Sequence, residues 1–123
     1  VNYTGRSWTL TLPPGTKLLT SNDHLSWQAR WRRTQELRAT FGWLARAQRI
    51  PRLQAAHAEF FVMARGRHDP SNWSDTGKAA IDGCTDAGAW PDDSWKYVIG
   101  PDPRHWDQPG FRLVIRELAG LPD

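Results

Sequence analysis

The segment His68–Val98, HDPSNWSDTGKAAIDGCTDAGAWPDDSWKYV, gathers most of the aspartates of this chain: Asp69, Asp75, Asp82, Asp86, Asp92 and Asp93, with Asp102 just beyond. It opens on an Asp-Pro turn, in which Pro70 biases Asp69 toward an extended backbone. A helix follows from about Thr76 to Ala87, started by Ser74 or Asp75 and stopped by Gly88. Ala80, Ile81, Cys84 and Ala87 fall on one side of it, and Lys78, Asp82 and Asp86 on the other. The segment closes on the corner Pro91-Asp92-Asp93. A short helix with a carboxylate turn at each end can bring those carboxylates together. Converging carboxylates repel one another unless a hard cation neutralises them, and Mg²⁺ prefers oxygen ligands of this kind. The segment therefore points to a metal site acting on phosphodiesters.

Upstream, Ser7–Leu12 alternates polar and apolar residues, with Trp8, Leu10 and Leu12 on one face, and Pro13-Pro14-Gly15 ends this strand. Ser21-Asn22-Asp23 offers an N-cap for a helix from about Leu25 to Gln48. Within it Trp27, Trp31, Thr34, Leu37, Phe41, Leu44 and Ala45 recur at spacings of three and four, Arg30, Arg33, Arg46 and Arg49 fall opposite, and Pro51 stops the helix. Leu53–Ala64 begins with a helical composition, but Phe60-Phe61-Val62-Met63 reads as a buried strand, and the strand is the preferred reading. Downstream, Trp95–Ile99 and Phe111–Leu118 read as strands separated by a loop rich in Pro, Gly and Asp. The order β-α-β-α-β-β predicts an α+β fold, a single domain over residues 1–123 with a small mixed sheet packed with two main helices.

At 123 residues the chain can bury a modest core without cross-links. Its one cysteine, Cys84, excludes an internal disulfide and suits a reducing compartment; on the apolar side of a helix it is expected to be inert. No apolar run reaches membrane-spanning length and no secretory pattern opens the chain, so a cytoplasmic location away from membranes is expected. The four histidines, His24, His57, His68 and His105, lack metal spacing, which argues against zinc. No Walker loop, G-x-G-x-x-G or G-x-S-x-G occurs.

The net charge of +3 conceals an asymmetry: residues 1–68 hold 11 Lys and Arg against 3 Asp and Glu, and residues 69–123 hold 5 against 10. A basic half can collect phosphates, with Arg30, Arg32, Arg33, Arg65 and Arg67 as candidates, while an acidic half holds metal. The alternative is solubilising charge that mixes in three dimensions. Eight tryptophans are many for this length. Trp27 and Trp31 alternate with Arg30, Arg32 and Arg33; packing in a dimer is the first reading of some of them and base stacking the second.

Lys78-Ala-Ala-Ile-Asp82, followed by Ala87-Gly88-Ala89-Trp90-Pro91-Asp92-Asp93, resembles the core motif of the RusA-type Holliday junction resolvases. That motif has a D-x-D-N turn, a Lys, an Asp four residues on and an A-G-x-x-x-D-D corner. Trp8-Thr-Leu-Thr-Leu-Pro-Pro is similar to the family's opening strand and turn, and Gly110–Leu118 to its closing strand. The first turn departs from the pattern: Ser71 stands where the family has its second Asp, and three extra residues, Asp75 among them, separate Asn72 from Lys78.

The resemblance implies a homodimeric endodeoxyribonuclease, often phage- or prophage-encoded, that uses Mg²⁺ (Mn²⁺ as a substitute) to resolve four-way DNA junctions. Carried onto this chain, it makes Asp69, Lys78 and Asp93 catalytic, with Asp69 and Asp93 holding metal and a third oxygen from Asp75 or Ser71. Asp92 is a further candidate ligand, or else orients a water or caps the turn. Lys78 would stabilise charge on the phosphate, or simply pair with Asp82 on the surface; Asp82 would position Lys78 or a water. Asn72 is expected to shape its turn through side-chain hydrogen bonds. Asp75 either caps the helix or replaces the missing carboxylate. A junction-binding protein impaired in catalysis is the alternative that Ser71 suggests.

Overall fold

The computed structural model describes residues 2–64 and 68–120. Four strands, β1 (Tyr3–Thr11), β2 (Ala56–Val62), β3 (Val98–His105) and β4 (Phe111–Leu118), form a mixed sheet ordered β1-β4-β2-β3. β4 runs antiparallel to both β1 and β2, and β2 pairs with β3 in parallel. Two helices, α1 (Trp27–Ala47) and α2 (Ser74–Asp86), complete the α+β fold.

Strand alternation decides which sheet face the helices cover. Leu10 on β1, Ala56, Ala58 and Phe60 on β2, and Phe111, Leu113 and Ile115 on β4 are buried, and they share one core with Leu37, Phe41 and Ala45 of α1 and Ala79, Ala80 and Cys84 of α2. Phe111 lies between Phe60, stacked at 5.2 Å, and Phe41, edge-on at 5.9 Å. The other face of the sheet carries polar pairs. Glu59 is held by Arg104 at 2.9 Å and Arg116 at 2.6 Å, and His57 bridges Asp102 at 2.6 Å and the Tyr3 hydroxyl at 2.7 Å.

Two glycines let the helices touch. A Cβ on Gly83 would stand 2.3 Å from the carbonyl oxygen of Arg38, and one on Gly42 would stand 3.2 Å from that of Gly83. Gly77 brings α2 down onto the sheet, since its Cβ would meet Phe60 at 2.9 Å and Pro101 at 3.1 Å. Arg30 pairs with Asp75 near the start of both helices and Arg46 reaches the Asp86 carbonyl near the end of both, so α1 and α2 run side by side in one direction.

Several boundaries differ from expectation. Ser26 caps α1, its hydroxyl accepting from the Ala29 N–H at 3.1 Å, whereas Asp23 closes the preceding loop on the Thr20 N–H. α2 begins at Ser74, and neither Ser74 nor Asp75 caps it: Trp73 holds the cap position without a side-chain bond. Residues 95–97 form a turn, so β3 starts only at Val98 and runs through Pro101-Asp102-Pro103, a stretch the composition marks as loop. Proline survives there because β3 is an edge strand, where a missing N–H need not break a ladder on both sides. Gly100 supports the irregular step in the β2–β3 register, with φ +98° and no room for a Cβ, which would stand 2.3 Å from the Ala58 carbonyl oxygen. The apolar stripe of α1 is buried only from Leu37 onward; Trp27 and Trp31 lie beyond the core, 75% and 60% exposed.

Candidate active site on the second helix

The first turn of the acidic segment is a single 3-10 turn, Pro70–Trp73, capped by Asp69, whose carboxylate accepts the Ser71 N–H at 2.9 Å. That bond holds the Asp69 carboxyl below its usual range. Among the described residues Asn72 makes no side-chain hydrogen bond and acts through its backbone: its N–H donates to the Asp69 carbonyl and its own carbonyl accepts from the Ser21 N–H, both at 2.9 Å. Thr76, fully buried, accepts from the Leu19 N–H at 2.8 Å and donates to the Leu19 carbonyl at 2.7 Å, which fixes the 13–25 loop against α2.

Lys78 stands on the exposed side of α2, its ammonium 3.1 Å from Asp93 and 3.5 Å from Asp82. The Asp93 bond, foremost, raises the lysine's pKa and keeps it charged. Adjacent aspartates at the corner part company. Asp92 turns back to accept the Ser94 N–H at 2.8 Å, and Asp93 alone reaches Lys78. Gly88, with φ +86°, takes the left-handed conformation that ends α2 and brings the chain round to this corner.

Arg38 is the residue that sequence pattern missed. It lies on α1 and grips Asp86 through two bonds, at 2.6 and 2.8 Å. Those bonds raise its pKa, and the charges of Asp86, Asp82 and Asp93 add to the effect. Asp86 is lowered correspondingly, first by its bonds to Arg38. Only a contact across some fifty residues reveals this partner, which helical spacing within α2 cannot signal. Asp75 is likewise engaged, paired with Arg30.

The structure thus joins Lys78, Asp82 and Asp93. No hydrogen bond or ion pair among the described residues links Asp69 to them, and Ser71 meets Asp69 through its N–H. Arg65 and Arg67 lie outside the described residues, and Arg32 and Arg33 sit on the first turns of α1. Mg²⁺ keeps several waters and is commonly held by one or two carboxylates plus substrate phosphate. The exposed carboxylates of Asp69 and Asp93 are donors of that kind, so the donor chemistry fits, while among the described residues no three His, Cys, Asp or Glu side chains converge into a preformed cage. Cys84 is buried away from all of this, its thiol pushed up to about 12 by burial, as an inert cysteine should be. Among the described residues no helix is long and apolar enough to cross a membrane. No protein-family model matches the chain, and no curated protein matches it either.

Proposed function

We propose that this protein is a structure-selective endodeoxyribonuclease of the RusA type that resolves four-way DNA junctions by paired phosphodiester hydrolysis. The observation that carries the reading is the meeting of Lys78 and Asp93. They are two of the three residues the sequence motif marks as catalytic, and they lie 15 positions apart in the chain with 3.1 Å between Nζ and Oδ2. The contact is exposed, so a phosphate can reach it. Asp93 orients the ammonium toward that phosphate, and Lys78 offsets negative charge as it develops in attack. Asp82 restrains the lysine from its other side. Mg²⁺, held by Asp93 and Asp69 with phosphate oxygens, would supply an activated water and further charge stabilisation. A homodimer would set two such sites against the two-fold symmetry of a junction.

A second reading, a junction-binding protein impaired in catalysis, is favoured by one feature: Ser71 in place of the motif's second carboxylate. Incubation of a labelled four-way junction with the protein and Mg²⁺, resolved on a denaturing gel, separates the two. Symmetric nicks are expected. An intact junction that nevertheless shifts on a native gel establishes the second reading.

A further inference from the structure

The first two turns of α1 extend past the core. Trp27 and Trp31, four residues apart, lie on one helix face, 75% and 60% exposed, and with Gln28 and Arg32 they line a shallow groove of about 390 Å³. The local charge is positive. Arg32 takes part in no ion pair among the described residues, the first turn of the helix has no acidic residue, and Arg30 already occupies Asp75. Two exposed indoles beside an unpaired guanidinium suit a partner that is both aromatic and anionic. A purely apolar partner would leave that cation buried without counter-charge.

We infer that the Trp27–Gln28–Trp31–Arg32 face binds unpaired nucleobases of a DNA strand: the indoles stack on the bases, Arg32 holds the backbone, and the Gln28 amide meets base edges. This rests on the nuclease reading and deepens it. Arg30, between the two indoles in sequence, pairs with Asp75, three residues before Lys78, so the platform and the candidate active site share one stretch of the α1–α2 contact. A branched substrate, whose bases are open at the crossover, would lay those bases on α1 while its phosphate reaches Lys78.

The test is fluorescence anisotropy without metal, using an oligothymidylate of about twelve nucleotides and an abasic strand of the same length. Wild-type protein should prefer the strand with bases. Trp27→Ala and Trp31→Ala should each weaken its binding by about tenfold, Trp31→Phe should retain most of it, and the abasic strand should bind all of them alike. Both indoles are exposed, so unchanged thermal melting should accompany the loss. Equal binding of both strands by wild-type and variants overturns the inference, as does a dimer in sedimentation that Trp27→Ala dissociates, which would give this face to a second copy. The outcome is independent of cleavage. Base-dependent binding without junction nicking would defeat the nuclease reading alone, and nicking with tryptophan-independent binding would defeat this inference alone.

Discussion

Asp93 and Asp75 carry the same charge, yet the structure gives them different work. Asp93 is exposed and its partner is Lys78, whereas Asp75 sits in the first turn of α2 and pairs with Arg30. Asp93→Asn should therefore reduce junction cleavage by at least about 10²-fold while leaving binding intact or tighter, since a carboxylate facing DNA is removed. Single-turnover cleavage and anisotropy on one preparation check this; cutting at the wild-type rate would remove Asp93 from the chemistry. Asp75→Asn should cut nearly normally and lose no more than about 1 kcal/mol of stability, the usual worth of an exposed pair. A folded but inert Asp75→Asn protein would make Asp75 the substitute ligand. At this scale helical spacing signalled the Lys78–Asp82 pair, one turn apart, but not the Lys78–Asp93 bond. It was silent on Arg38 and on the partner of Asp75, because ion pairs between helices leave no trace in local spacing.

Between the helices, Gly83 matters more than any larger side chain nearby. Its Cβ would fall 2.3 Å from the Arg38 carbonyl oxygen, 2.9 Å from the Gly42 nitrogen and 2.9 Å from the Phe41 Cβ. These are backbone and near-backbone atoms, which cannot rotate aside. Gly83→Ala should cost roughly 1–3 kcal/mol or more by forcing α1 and α2 apart, despite alanine's better helix propensity. Urea denaturation would measure it; unchanged stability would mean the helices are not in such close contact. The separation should also move Arg38 away from Asp86. Elements with a clean apolar period were legible from sequence: Phe111–Leu118 is the strand its composition suggests. β3 was not, because its prolines announce a loop and only its place at the sheet edge makes them admissible. Nor does a stripe on α1 say where its opposing surface ends, which is why Trp27 and Trp31 belong to the stripe yet lie outside the core.

Across the molecule, the charge asymmetry of the sequence is partly consumed in folding. Arg30 and Arg38 answer Asp75 and Asp86 between the helices, and Arg6 answers Glu117 across the sheet. The bonds from Arg6 and Thr4 push the Glu117 carboxyl down to about 2 from an ordinary 4.5. A carboxyl lowered on folding binds fewer protons folded than unfolded, so its contribution to stability is present above about 4.5 and lost as pH falls toward 2. Asp86, lowered by Arg38, adds to the loss with the same sign. Denaturation midpoints across this range should fall with acid, and Glu117→Gln should flatten the slope; an unaltered slope would deny the pair its role.

The sheet's two borders are chemically unequal, and this limits how copies of the chain can join strand to strand. On the β3 side Pro101 and Pro103 offer no N–H to an incoming strand, while among the described residues β1 has no neighbour beyond it. Extension by β-pairing is thereby confined to β1. Two chains meeting through β1 would each present a proline-bearing β3 outward, so growth stops at a pair and open-ended fibres have no second border on which to propagate.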